Sequence, residues 1–272
     1  MSHYEIGKSI TKHEILARKG KDKISMVTCY DAAFGRIIEK SSIDCVLVGD
    51  SVGNVVLGFE DTLSVTMNDI ILHTAAVSRV IKRPMLIADM PFGSYQTSKK
   101  DSVSNAIRLV QEGHAQAVKL EGGDSVRKKV AAIVAAGVPV VGHLGFTPQS
   151  INAIGGYRVQ GRGEQVAQSL IAEARALQDA GCFMLVLEMV PASLASRITE
   201  ELDIPTIGIG AGSACDGQVL VIHDLLGFDN DFAPKFLKKY ANLNGVISEA
   251  LDLYDKDVKT GVYPTDQHSY AD

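Results

Sequence analysis

The chain has 272 residues, 46% of them hydrophobic, and a formal net charge of −5. That content suits a globular fold with a sizeable core, and an acidic balance without any basic run argues against a nucleic-acid partner or an anionic membrane surface. No stretch approaches the ~18 consecutive apolar residues of a membrane span, and the opening MSHYEIGKSITKHE lacks the apolar centre of a secretory leader, so a cytoplasmic protein is expected.

In chain order, Ser9–Lys19 predicts an N-terminal helix stopped by Gly20, and Lys23–Cys29 a first strand. Asp31 opens a helix through Ile38, and Cys45–Gly49 is the second strand. The long connection from Ser51 to Thr66 is functional or carries small elements of its own. A helix capped by Thr66 or Asn68 leads to Pro84, a third strand and a helix over Ser98–Gly113. Strand four is Ala117–Leu120, followed by a helix near Asp124–Ala136 closed by Gly137. Strand five, Val138–Val141, runs into the glycine-rich GHLGFTPQSINAIGGYRVQGRG, and Glu164–Ala180 is a long helix. Strand six, Phe183–Leu187, ends in Glu188, and a helix spans Ser193–Leu202. Strand seven, Pro205–Ile209, enters GIGAG, and strand eight is Val219–Ile222. Helices are expected around Phe236–Tyr240 and over Asn244–Lys259, before a short polar tail.

Alternating helices and near-continuously apolar strands predict a parallel sheet covered by helices. Eight repeats in this length fit a closed (β/α)8 TIM barrel, an α/β fold, better than an open doubly wound sheet. No change in composition divides the chain, so residues 1–272 are expected to form one domain, with an extra N-terminal helix within 1–22, C-terminal helices and a tail over 260–272. Cys29, Cys45, Cys182 and Cys215 are widely spaced and three of them lie in or beside apolar runs, favouring buried, reduced thiols over disulfides or zinc.

Three strands in succession finish on a carboxylate: Asp50 after VLVG, Asp89 after MLIA and Glu121 after AVKL. At the C-terminal ends of neighbouring barrel strands these acids converge where such folds keep their active sites. A single acid there is equally well explained as a turn or helix cap; three in succession are harder to explain so. Clustered carboxylates repel and call for a cation, and oxygen ligands without a His or Cys cluster favour Mg²⁺. A metal held by one or two carboxylates keeps waters that a chelating 2-oxo acid displaces, and its Lewis acidity suits an enolate. Lys119 shares the facing of Glu121 and is placed to neutralise a carboxylate or a developing oxyanion; a salt bridge with Glu121 is its alternative role. Glu188, leaving the apolar run FMLVL, is a candidate base or a structural acid. His143 is as well explained by structure as by catalysis, and GIGAG offers backbone N–H groups to an anion or merely makes tight turns.

The motifs GDS (Gly49–Ser51), ADMPF (Ala88–Phe92), KLEGG (Lys119–Gly123), GHLGFTPQS (Gly142–Ser150), GGYRVQGRG (Gly155–Gly163), LEMVP (Leu187–Pro191), IGIGAG (Ile207–Gly212) and DGQVLVIHD (Asp216–Asp224) stand in an order and spacing that resembles the ketopantoate hydroxymethyltransferase family. The resemblance covers roughly Lys21 to Ser269; Phe146 stands where leucine is usual and Ser64 where proline is common. It implies transfer of a hydroxymethyl group from 5,10-methylenetetrahydrofolate to 3-methyl-2-oxobutanoate through a Mg²⁺-stabilised enolate, giving 2-dehydropantoate for pantothenate synthesis. By the same resemblance Asp50 and Asp89 bind one Mg²⁺ per subunit with Glu121 completing the metal environment. Asp50, Ser51, Asp89 and Lys119 contact the 2-oxo acid, Glu188 accepts the proton, and the enzyme is a homo-oligomer, commonly a decamer. A Mg²⁺-dependent lyase or aldolase on related 2-oxo acids shares the same cluster, and a non-catalytic, anion-binding barrel is the third expectation.

Overall fold

The structure, a computed structural model, describes residues 9–271. The chain separates into two compact units, Met1–Val221 and Ile222–Asp272.

The first unit opens with α1 (Lys12–Ala17), whose Thr11 cap and Glu14 make a reciprocal capping box. Strands β1 (Ile24–Thr28), β2 (Cys45–Val48), β3 (Met85–Asp89), β4 (Ala117–Glu121), β5 (Val140–Gly145), β6 (Met184–Glu188), β7 (Thr206–Ile209) and β8 (Gly217–Leu220) close a parallel barrel in sequence order, with β8 paired to β1. Between them run α2 (Ala32–Glu39), α3 (Val52–Val55), α4 (Met67–Ser78), α5 (Lys99–Gln111), α6 (Asp124–Ala135), α7 (Ile151–Ile154), α8 (Glu164–Asp179) and α9 (Ala192–Glu201). Helix starts follow local chemistry: Asp31 accepts from two backbone N–H groups, Thr66 pairs with Asp69 in a second capping box, and Ser98 accepts from Asp101 N.

Alternation along each strand decides what fills the barrel. Met26, Cys45, Met85, Ile87, Ala117, Val141, Met184, Val186, Ile207 and Val219 belong to one buried apolar cluster with Ile10 and Ile15. Burying such a side chain fully is favourable by ~1.5–3 kcal/mol, and Ile15 brings α1 to the N-terminal end of the strands. The next inward position on several strands is polar. Asp89 follows Ile87, Lys119 and Glu121 follow Ala117, His143 follows Val141, and Glu188 follows Val186. The interior is therefore apolar below and ionisable above.

Beyond shifts of a few residues at element ends, the structure departs from the sequence reading in three places. β5 starts later and runs through Gly142 and His143, because its pairing with β6 continues to Gly145 opposite Glu188. β8 spans Gly217–Leu220, starting where β1 supplies a partner at Ile24, and Ile222 opens a helix instead of ending the strand. Phe236–Tyr240 is not helical: Leu237 N bonds Pro234 O in a turn, and Tyr240 N bonds Leu225 O at 2.8 Å. Both long connections carry small elements, α3 in the first and a 3₁₀ turn at Pro148–Ser150 with α7 in the second.

The second unit holds α10 (Ile222–Leu226) and α11 (Leu243–Thr260). α11 starts where Asn242 accepts from Gly245 N and ends at Gly261 in the left-handed conformation. It has no buried residue, and Val246, Leu251, Leu253 and Tyr254 are exposed. No helix among the described residues is long and apolar enough to cross a membrane. All four cysteines are buried and unpaired, and burial pushes Cys45 and Cys182 up to about 12 and Cys29 up to about 11, so these thiols stay protonated.

Candidate active site

At the C-terminal end of the barrel the strand-end side chains form one connected set. The Lys119 ammonium lies 2.7 Å from Asp89 Oδ1 and 3.6 Å from Glu121 Oε1. His143 Nδ1 is 3.3 Å from Glu121 Oε1, and its Nε2 is 3.3 Å from Glu188 Oε2. Asp50 joins through its backbone N–H, which donates to Asp89 Oδ2 at 3.3 Å. Asp50, Asp89, Glu121 and Glu188, four acids from four strand ends, are thus brought together, with Lys119 and His143 between them. Ser51 stands at the margin, its Oγ 2.7 Å from the Tyr30 hydroxyl. GIGAG (Gly208–Gly212) begins within β7, where Ile209 is the register partner of Glu188, and then turns with Gly210 and Gly212 at positive φ.

Local backbone requirements hold the ends in place. Gly145 has φ +95°, and a Cβ there would collide with the carbonyl oxygen of Glu188. Only glycine lets β5 and β6 approach closely enough for Phe146 N to bond Glu188 O at 2.8 Å. The next residue, Met189, is itself at φ +46°, so the chain turns sharply just after Glu188.

Two residues that motif reading alone did not single out complete the set. Gln149, in the 3₁₀ turn after β5, donates from Nε2 to Asp50 Oδ2 at 2.8 Å and from its backbone N to Glu121 Oε2 at 3.1 Å. Tyr95, after β3, places its hydroxyl 2.7 Å from Gln149 Oε1 and accepts from Glu121 N at 3.1 Å. Gln149 lies inside the GHLGFTPQS motif, which was the available signal; Tyr95 had none.

The electrostatics are unequal across the set. Burial pushes the Asp50 carboxyl well above its ordinary range, and the neighbouring Asp89 and Glu121 charges push it further. Burial also raises Asp89, against the opposing pull of Lys119. For Glu121 burial is overcome by His143 and Lys119, and the net direction is down. For Lys119 burial is likewise overcome, here by Asp89, Glu121 and Asp50, so it stays a cation. Burial and the Lys119 charge both disfavour the His143 imidazolium, but Glu121 and Glu188 outweigh them and bring it up to about 9. Glu188 is the least enclosed member, its side chain 17% exposed against 2–3% for Glu121 and His143.

The donor set can be tested against a divalent cation. Among the described residues no three His, Cys, Asp or Glu side chains are grouped to hold a metal ion. Glu121 has one oxygen facing Lys119 and His143 and the other accepting from Gln149 N. Asp50 and Asp89 are different, being held close together at a cost that a cation would relieve. Two carboxylates completed by water or substrate match how Mg²⁺ is usually held in proteins. Small, hard and oxygen-seeking, Mg²⁺ fits this pair.

The family profile described as ketopantoate hydroxymethyltransferase matches residues 9–266. A 3-methyl-2-oxobutanoate hydroxymethyltransferase of Acetivibrio thermocellus is 54% identical over 254 residues, covering 93% of this chain and 90% of the relative. One of Syntrophus aciditrophicus is 51% identical over 271 residues, covering 99% of this chain and all of the relative (100%). Among solved structures, a 2,3-dimethylmalate lyase of the PEP mutase/isocitrate lyase superfamily superposes with TM-score 0.60 at 16% identity, covering 96% of this chain and 92% of the other. Phosphonopyruvate hydrolase in complex with oxalate and Mg²⁺ gives TM-score 0.62 at 12% identity with the same coverages, 96% and 92%. At such identities these two structures speak for the shared barrel alone.

Proposed function

From the premise that this chain belongs to the ketopantoate hydroxymethyltransferase family, we propose that it transfers a hydroxymethyl group from 5,10-methylenetetrahydrofolate to 3-methyl-2-oxobutanoate, giving 2-dehydropantoate for pantothenate synthesis. The observation that carries the reading is the line of contacts from the Asp50–Asp89 pair through Lys119, Glu121 and His143 to Glu188. It joins a place for a cation and a 2-oxo acid to a place for a base.

Asp50 and Asp89 would hold Mg²⁺, one per subunit, with Glu121 completing its surroundings from behind Lys119 and His143. When bound, the ion supplies Lewis acidity toward the oxygens of a chelating 2-oxo acid. Lys119, kept cationic among the acids, binds negative charge on the 2-oxo acid, and Ser51 offers a hydroxyl at the edge of the same site. Glu188 takes the C3 proton at its carboxylate. His143 Nε2 lies 3.3 Å from one oxygen of Glu188, Oε2, which leaves Oε1 to take the proton. His143 Nε2 lacks a well-aligned acceptor despite that proximity, so the pair has room to tighten when substrate enters. With C3 deprotonated, the resulting carbanion equivalent attacks the methylene carbon of the folate, forming the C–C bond. The C–N bonds from that carbon to the folate break, water supplies the hydroxyl, and tetrahydrofolate leaves. The 2-oxo acid, methylenetetrahydrofolate and water thus give 2-dehydropantoate and tetrahydrofolate.

The experiment is incubation with 3-methyl-2-oxobutanoate, Mg²⁺ and methylenetetrahydrofolate, with detection of 2-dehydropantoate. A parallel incubation in D2O without the folate follows C3 exchange. Cleavage of a longer 2-oxo acid with no dehydropantoate formed would favour a lyase instead. The buried reduced thiols support a cytoplasmic enzyme. The exposed apolar side of α11 supports a homo-oligomer, for which a decamer is the expected size; light scattering that finds a monomer overturns this part.

A further inference from the structure

Gln149 is buried, 3% exposed, and its side chain meets four groups. Nε2 lies 2.8 Å from Asp50 Oδ2 and 2.9 Å from Met90 O, while Oε1 lies 2.7 Å from the Tyr95 hydroxyl and 3.3 Å from Gln96 Nε2. Which end of the amide faces which group follows from what each neighbour can do. Met90 O only accepts, and so does Asp50 in the carboxylate form that would hold a cation, so the two N–H bonds point to them. The Tyr95 oxygen accepts from Glu121 N, which leaves its single proton for Gln149 Oε1 at 2.7 Å in preference to Glu121 O at 3.2 Å. A flipped amide would set its oxygen against two acceptors around a buried side chain, an arrangement costly enough to be disfavoured.

We propose that Gln149, locked by Tyr95, is a positioning residue that assigns Asp50 Oδ2 to the protein and Oδ1 to the cation, and that ties Asp50 and Glu121 into one rigid unit. The inference rests on the reading of Asp50 and Asp89 as the cation-holding pair. Its backbone N on Glu121 and its side chain on Asp50 span two strand ends that share no direct hydrogen bond of their own. Gln149 donates the side-chain hydrogen bond to the Asp50 carboxyl, which is otherwise set among the repelling charges of Asp89 and Glu121. Lys119 does not replace the clamp, since it pairs with Asp89 and Glu121.

The test is calorimetric titration of the purified, metal-free full chain with Mg²⁺, alongside kcat, KM for the 2-oxo acid and thermal midpoint. Gln149→Met keeps the volume and removes both hydrogen-bonding ends. It is expected to weaken Mg²⁺ binding by roughly tenfold, the loss expected for a hydrogen bond to a charged group. KM for the 2-oxo acid should rise by a similar factor, and excess Mg²⁺ should restore kcat to within about threefold, because the reacting groups remain. Tyr95→Phe leaves the amide but unlocks it, and should weaken Mg²⁺ binding by about threefold; being nearly isosteric, it is the readable variant if Gln149→Met fails to fold. Gln149→Glu, an acceptor facing acceptors, should bind Mg²⁺ more weakly than Gln149→Met. Wild-type Mg²⁺ affinity in folded Gln149→Met or Tyr95→Phe, with only a lowered thermal midpoint, overturns the inference and leaves the cation site standing. A wild-type chain that takes up no Mg²⁺ overturns the cation site itself, and the inference with it.

Discussion

The two ends of the barrel use the same residue type to opposite effect. At the N-terminal end, Asp44 precedes β2 and accepts from Ser25 N and Ser25 Oγ while pairing with Arg18 at 2.6 Å. Asp216 precedes β8 and accepts from Lys19 Nζ, Gly20 N and Thr206 N at 2.9–3.0 Å. Burial opposes ionisation of both, yet these partners win and hold both carboxyls below their usual range. At the C-terminal end Asp50 and Asp89 are raised, because burial and neighbouring acids outweigh the donors provided. Carboxylates with sufficient donors secure a fold; carboxylates denied them are held ready for something the chain itself does not supply. The contrast makes opposite predictions for the two ends: changes above should affect activity at little cost in stability, and changes below the reverse.

The largest expected effect is at Glu188. Glu188→Gln should lower C3 proton exchange in D2O by ~10²–10⁴-fold, the range lost when a positioned general base is removed. The thermal midpoint should hold, because Glu188 is the most open member of its set and glutamine retains its shape. A variant that unfolds while its exchange rate survives would reverse the assignment of the upper end. Next is Asp216→Asn, which removes the charge opposite Lys19 and a charge-assisted acceptor from Gly20 and Thr206. It should destabilise by about 2–3 kcal/mol in urea unfolding, the cost of losing hydrogen bonds to a charged group. kcat should stay within twofold, since no lower-end group reaches the strand tips.

Acid should act on the lower end in the same direction. A carboxyl held below its usual value binds fewer protons folded than unfolded. The stability it contributes is complete above its unfolded pKa, about 3.9 for Asp, and is lost as pH falls through the depressed folded value. Wild-type unfolding free energy should therefore fall below about pH 4, and Asp44→Asn should flatten that limb while lowering stability at pH 7 by about 1–2 kcal/mol. A limb unchanged in Asp44→Asn would show that Arg18 and Ser25 do not hold Asp44 in solution as they do here.

How far sequence reaches differs between the ends for a physical reason. The barrel and the upper acids were legible because they are periodic: an apolar run that ends on a charge marks a strand leaving a core, and alternation then places Lys119 and Glu121 inward. The N-terminal helix was legible too, although its Thr11–Glu14 box became visible only in the structure. His143 was ambiguous because β5 seemed to end at Val141; the strand continues only because β6 pairs with it through Gly145, a tertiary fact. Gln149 and Tyr95 lie in irregular connections and are neutral, so neither period nor charge marks them. Asp44 and Asp216 were passed over since their partners, Arg18, Ser25, Lys19 and Thr206, come from distant segments. Where function depends on a residue's own chemistry at a strand end it could be read; where it depends on a partner brought by folding it could not.

The smallest expected effect is the one whose sign separates the two ends most cleanly. Asp50→Asn removes one of three acids packed around a single lysine, relieving repulsion from Asp89 and Glu121, while asparagine keeps the shape. The Gln149 Nε2 contact at 2.8 Å can pass to the asparagine carbonyl oxygen. In metal-free protein the substitution should therefore stabilise by about 1 kcal/mol, as expected where a site holds charges that disfavour folding. Asp44→Asn, the same change at the lower end, should destabilise. Adding Mg²⁺ should raise the wild-type thermal midpoint and leave that of Asp50→Asn nearly unmoved, because only the wild type gains the linkage stabilisation of a bound cation. Glu121→Gln should weaken that Mg²⁺ effect less than Asp50→Asn does, since both Glu121 oxygens already face protein donors. Destabilisation of metal-free protein by Asp50→Asn would mean that its carboxylate is satisfied in the way Asp44 is, and that the two ends of the barrel do not differ.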